Sequence, residues 1–156
     1  MHVTGLITEY NPFHNGHLFH IRRAREVAGA DFLIVLMSGS FVQRGAPAIF
    51  DKYSRARAAL LCGADVVAEM PVTFSTASAR EFASYGIALF TALAAVDSLC
   101  FGSQRVATGP LLQPARLLVQ EPDGFNEALG NHLRPGQTHQ AARPRALSSF
   151  HPAHHP

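Results

Sequence analysis

The chain is 156 residues long, 47% hydrophobic and 15% charged, which excludes a disordered linker and fits one domain with a sizeable core. Its 13 basic and 11 acidic residues leave a formal net charge of +2, too balanced for a protein that coats nucleic acid by charge alone. The basic side is almost all arginine, with Lys52 as the single lysine.

The first element is a β-rich apolar run over residues 3–9, closed by Tyr10-Asn11-Pro12, where proline drives Asn11 out of the helical region. A helix then begins near Gly16, its apolar positions Leu18, Ile21, Ala24 and Ala28 recurring at steps of three and four. Residues 32–37 (FLIVLM) read as a central strand buried on both faces, followed by Ser38-Gly39-Ser40. Asp51 caps a second helix running to about Cys62, with Gly63 as its stop, and residues 65–70 form a third strand ended by Pro71. A third helix spans roughly 78–96, and residues 98–101 give a fourth strand before Gly102. This strand–helix alternation predicts an α/β fold with right-handed crossovers, a parallel sheet flanked by helices, and ligands at the carboxyl ends of the strands.

Composition shifts beyond Gly109, where seven of the ten prolines and five of the nine histidines lie. The expected organisation is a core over residues 1–109, an incomplete helical extension over 110–142 with helices near 111–120 and 125–133, and a frayed tail over 143–156. Cys62 and Cys100 are too few for a disulfide scaffold and lack C-x-x-C spacing, which points to a reduced, intracellular chain. Glu9 interrupts any signal-peptide pattern, and the longest charge-free helical stretch, 83–96, falls short of the ~20 residues needed to span a bilayer. The expectation is a soluble cytoplasmic protein with no membrane partner.

The strongest chemical feature is Asn11-Pro12-Phe13-His14-Asn15-Gly16-His17, between the first strand and the first helix. Free backbone N–H groups and the positive end of the helix dipole make this an anion site, and Gly16 is read as allowing a nucleotide to approach closely. His14 and His17, three apart, reach the same phosphate around the first helical turn, as donors to an α-phosphorus and departing pyrophosphate. Competing readings are ordinary turn and N-cap histidines, or zinc binding, for which no third ligand stands at a matching spacing, Glu9 being the nearest candidate. His20 follows His17 by one turn and joins the candidate site. Beyond the second strand, Arg44, Lys52 and Arg55 are candidates to hold phosphate or RNA backbone, against a solvated loop in which Asp51 pairs with Arg55. Glu69, before Pro71, is placed to face the same crevice and needs a partner, the two readings being structural pairing with an arginine and catalysis. His2 and the tail histidines are expected in solvent.

The segments GLITEYNPFHNGH, MSGSFVQRGAPAIFDKYSRA, GADVVAEMPVTFSTASAREFA and LCFGSQ together resemble the bacterial tRNA(Met) cytidine acetate ligases, from about Val3 to Gly102. That resemblance implies a Rossmann-like HIGH-type nucleotidyltransferase fold. The implied activity is activation of acetate by ATP as acetyl-adenylate, with Mg²⁺ on the phosphates, then acetyl transfer to N4 of the wobble cytidine of elongator tRNA(Met). It also implies that ATP meets the stretch Ile7-Thr8-Glu9-Tyr10-Asn11-Pro12-Phe13-His14-Asn15-Gly16-His17-Leu18-Phe19-His20, together with Gly102. His14 and His17 are the expected catalytic pair, with no protein-held metal. Ser40, Met70 and Gln104 stand where the family usually has Asn, Leu and Glu. Family members continue well past this length, so the chain reads as a truncated member, and a folded nucleotide-binding remnant is the rival to an active enzyme. Another adenylyltransferase of the same superfamily is the nearest enzymatic alternative.

Overall fold

The structure, a computed structural model, describes residues 1–102, 109–120, 122–133, 142 and 145–147. Two compact units divide after Gly102, earlier than the boundary near Gly109 that composition suggests. The first unit runs in the order β1 (Val3–Thr8), α1 (Asn15–Ala28), β2 (Phe32–Ser38), α2 (Lys52–Leu61), β3 (Val66–Met70), α3 (Val72–Ser75), α4 (Ala79–Leu93) and β4 (Ser98–Leu99).

All strands are parallel, in the order β3-β2-β1-β4. β1 lies in register with β2 from Val3 opposite Phe32 to Thr8 opposite Met37, so both strands end side by side. The alternating side chains of β2 serve two cores, as a strand covered on both faces requires. Leu33, Val35 and Met37 pack with Leu6, Ile21, Ala24 and Ala59 on the α1/α2 face. Leu36 joins Met70 and Phe90 on the other face, with Ile34 and Ile7 packed against them. The chain winds outward from β1 through β2 to β3 and then crosses back to lay β4 on the other side of β1, which places the topological switch point at the carboxyl end of β1.

Local signals fix the helix ends. Asp51 accepts from Ser54 N at 2.9 Å to start α2, and Ser78 and Glu81 form a reciprocal capping box that starts α4. Gly29 closes α1 in the left-handed region at φ 61°. α4 ends at Leu93 rather than near Val96, because Ala94 takes a left-handed conformation. The one-turn α3 lies where no helix is anticipated, directly after Pro71.

α4 lies close against β1 at Gly86, where a Cβ would stand 2.5 Å from Ile7 Cδ1. Gly86→Val is expected to lower the stability of this unit by about 1–3 kcal/mol in urea titration, the cost of overpacking a filled core. A variant as stable as its parent would show that α4 does not press on β1 there.

In the second unit, α5 (Gly109–Gln120) carries Pro114 within it, and α6 (Phe125–His132) begins after Gly124 at φ 84°. Both helices correspond to those expected there. Residues 145–147 are helical and Ala146 is buried, so the expectation of a structureless tail fails for these three positions. The rest of that expected tail, including His151, His154 and His155, lies outside the described residues, as does Gln104.

His2 is not free in solvent as expected. Its Nε2 lies 2.9 Å from Ser98 Oγ and its backbone N–H donates to Asp31 at 2.7 Å, pinning the start of the sheet.

Candidate nucleotide site

At the carboxyl end of β1 an open cleft of about 400 Å³ is lined by Ile7, Thr8, Glu9, Tyr10, Asn11, Pro12, His14, His17, His20 and Gly102. The chain leaves β1 through Tyr10, held at φ 48° with its ring buried, and through a cis Asn11–Pro12 peptide. It then enters α1 with His14 as the N-cap in extended conformation.

The two histidines take the part usually played by a serine and a glutamate in a capping box. His14 Nδ1 accepts from Gly16 N at 3.1 Å, and His17 Nδ1 accepts from His14 N at 3.3 Å. With Nδ1 an acceptor, the neutral form of either ring carries its proton on Nε2 and keeps that N–H as a donor. The rings stack with centroids 3.8 Å apart and 27° between planes. Tyr10 braces the His17 ring edge-on at 4.9 Å. Gly16 has a more local role than nucleotide approach: a Cβ there would lie 2.9 Å from His14 Cε1, so glycine makes room for the folded-back ring. Gly102, by contrast, has open space where a Cβ would be.

Burial, and then the neighbouring His14 and His20 rings, push His17 down to about 4. Burial also lowers His20, with the Cys100 backbone pulling the other way. His17 is therefore a neutral donor near pH 7. Its pKa is lower folded than the ordinary 6.5, so the unfolded chain takes up the extra proton between those values. The stability this group contributes is complete above pH 6.5 and is lost as pH falls towards 4. Proton NMR should place the His17 midpoint near 4 and move it upward when pyrophosphate is added, since an anion favours the imidazolium. A midpoint near 6.5 that pyrophosphate does not move would remove His17 from the anion site.

Not all of the expected stretch reaches the cleft. Phe13 turns to the core and meets Tyr10 edge-on, Leu18 is half-buried outside the cleft, and Phe19 is 65% exposed. Asn15 and Gly16 stand exposed at the start of α1.

The basic residues after β2 are mostly committed to the fold. Arg55 is 2% exposed, and its guanidinium donates to the carbonyls of Glu9 (2.6 Å), Ser38 (3.1 Å), Phe50 (3.0 Å) and Gly39. It is a clamp on three chain segments, which corrects its reading as a phosphate or RNA contact. The Asp51–Arg55 side-chain pair does not form either, because the Asp51 carboxylate is taken by Ser54. Lys52 bonds Glu69 at 2.6 Å, so the partner of Glu69 is the lone lysine and not an arginine. The Glu69 side chain packs over Gly39 and lies outside the cleft. Arg44 is exposed.

Sequence reasoning missed what holds the cleft to the segment after β2. Glu9 Oε1 accepts from Gln43 N at 2.6 Å and Asn11 Oδ1 accepts from Ile49 N at 2.7 Å. The donors are backbone groups more than thirty positions away, so no residue pattern announces them.

Among the described residues no group of three or more His, Cys, Asp or Glu is arranged to hold a metal ion, and no helix is long and apolar enough to cross a membrane.

A parallel sheet with paired histidines at the helix start after β1 defines a nucleotidyltransferase-type site. The model of the HIGH Nucleotidyl Transferase family matches residues 1–155, and the chain belongs to that family. Among its relatives are proteins named tRNA(Met) cytidine acetate ligase. Those of Acetivibrio thermocellus and Syntrophotalea carbinolica are 44% and 48% identical over 150 residues, 96% of this chain and 36% of each relative. A crystal structure of Thermotoga maritima TmcAL bound with alpha-thio ATP matches with TM-score 0.85 at 43% identity, over 96% of this chain and 36% of that one. The apo form of the same protein matches with TM-score 0.86. The chain thus spans little more than a third of the length of these relatives.

Proposed function

We propose that the chain binds ATP in the cleft at the end of β1, as the nucleotide-activating part of an ATP-dependent ligase that charges acetate and passes acetyl to N4 of the wobble cytidine of elongator tRNA(Met). The observation that carries this is the pair of stacked, Nδ1-capped imidazoles whose Nε2–H groups are left for an anion at a helix N-terminus. The alpha-thio ATP bound by the Thermotoga maritima protein and the name shared by the relatives support it. His14 and His17 take the catalytic role of donors to the triphosphate, and Gly102 leaves room for the nucleoside.

In the reaction, a carboxylate oxygen of acetate bonds to the α-phosphorus, and pyrophosphate leaves with the electron pair. The exocyclic amine of cytidine then attacks the acyl carbon, loses a proton and expels AMP. Alignment and charge neutralisation do the work, with no covalent enzyme intermediate. Mg²⁺ travels with the ATP phosphates in this reading, and none of the residue roles depends on it.

One structural observation favours weak turnover by this chain alone. Of the basic residues near the end of β2, Arg55 and Lys52 are held within the fold, which leaves Arg44 as the exposed one of the three. Tight RNA binding needs several phosphate contacts. The test is to incubate the purified chain with ATP, acetate and elongator tRNA(Met), then digest the RNA and search by mass spectrometry for N4-acetylcytidine. ATP binding by calorimetry with little acetylcytidine is expected. Gly102→Val should weaken ATP binding at least tenfold while the circular dichroism spectrum is unchanged. Full ATP affinity in a folded Gly102→Val variant would move the nucleoside pocket elsewhere.

A further inference from the structure

Lys52 is the single lysine of the chain, set against twelve arginines, so its side-chain amine and the α-amine of Met1 are the two primary amines present. A guanidinium stays protonated at neutral pH, whereas an amine that sheds its proton attacks acyl groups. An acyl-adenylate made on this chain therefore meets few nucleophiles. The side chains of Cys62 and Cys100 pack against the core on the α1/α2 face, and burial pushes the Cys100 thiol up, away from the thiolate.

The two amines lie towards opposite ends of the sheet. Glu69, the partner of Lys52, is in register with Met37 of β2, and Met37 with Thr8 of β1, which lines the cleft. Two strand spacings, about 10 Å, separate the Glu69 and Thr8 backbones. Met1 precedes β1, whose length of about 17 Å lies between it and Thr8, and its amine stands 3.6 Å from Asp31. Lys52 is half-buried and Glu69 exposed, so a molecule leaving the cleft can reach the pair. Two contacts keep the amine charged: the 2.6 Å bond to Glu69 holds it above its ordinary range, and the Tyr53 ring centroid lies 5.5 Å from Nζ.

Resting on the reading of the cleft as the place where ATP activates an acid, we propose that Lys52 is an acetylation site for the chain's own acyl-adenylate, and that Glu69 restrains the reaction by pairing with the amine. When the pair opens, Nζ gives a proton to water and its electron pair bonds to the acyl carbon. The bond from that carbon to the phosphate oxygen breaks, AMP leaves with the electrons, and the nitrogen loses a second proton to become an amide. The product carries no charge, so Glu69 loses its ionic partner.

The test adds chemically made acetyl-adenylate to the whole purified chain, with acetic anhydride, which needs no binding site, as the comparison. Peptide mass spectrometry counts the acetyl groups on Lys52 and Met1. Relative to the anhydride, acetyl-adenylate is expected to raise the Lys52-to-Met1 ratio about threefold or more, because the cleft delivers it at one end of the sheet. Saturating ATP should return the ratio to the anhydride value. Glu69→Gln is expected to speed Lys52 labelling by either reagent about twofold to fivefold, the scale of an exposed ion pair, and to leave Met1 unchanged. One ratio for both reagents in a chain that binds ATP by calorimetry, or Lys52 labelling in Glu69→Gln at the parent's rate, would overturn the proposal, and the reagent comparison needs no variant to fold. A chain that binds no ATP overturns the ATP reading, and the proposal with it.

Discussion

Arg55→Ala is expected to cost the sheet unit about 3–5 kcal/mol in urea unfolding, the largest loss of any single substitution outside the apolar core. The guanidinium is buried and donates to the carbonyls of Glu9, Ser38, Gly39 and Phe50, so truncation leaves four acceptors short of a donor at once. Those acceptors sit just past β1, at the end of β2 and just ahead of α2, and no shorter side chain spans all three. Arg55→Lys should recover little, since an ammonium is a point donor without the planar fork. Glu9 is also on the cleft wall, so the folded fraction of Arg55→Ala should bind ATP more weakly than its parent. A loss below about 1 kcal/mol would mean that solvent replaces the clamp and that Arg55 is not what fixes these segments.

Removing either imidazole is expected to weaken ATP binding by about tenfold or more, since a hydrogen bond to a charged group contributes roughly 1.5–3 kcal/mol. The two losses should not add, because the rings stack and each Nδ1 is tied to the same first turn. His14→Ala also removes an N-cap and should destabilise the fold by about 1 kcal/mol. His14→Asn separates the two effects, keeping a capping side chain while losing the Nε2–H donor. Retained stability with lost affinity is the expected result by thermal melting and calorimetry. Should His14→Asn and His17→Ala both bind ATP like the parent chain, the triphosphate lies elsewhere and the capping role alone accounts for the two histidines.

Local chemistry was legible in the sequence wherever neighbouring residues settle it. The run FLIVLM reports a strand covered on both faces, Asp51 and Ser78 report helix starts, and Gly63 reports an end, because caps and periodicity act over a turn or two of chain. The alternation of elements was enough for the parallel sheet, and the spacing of His14 and His17 was enough to put both rings at the first turn of the first helix. The resemblance across four ordered segments carried the family.

Only the tertiary structure decided which charged groups are free to act. Arg55 and Arg44 look alike as residues in a cationic stretch, yet one is enclosed by four carbonyls and the other is exposed. The acceptors around Arg55 are backbone atoms, which every residue possesses, so no residue pattern could mark them. Glu9 and Asn11 likewise accept from backbone N–H groups of Gln43 and Ile49, far along the chain. Composition and spacing fix what a side chain is able to donate or accept; the fold fixes what remains within its reach, because a hydrogen bond is made over about 3 Å and not along the chain.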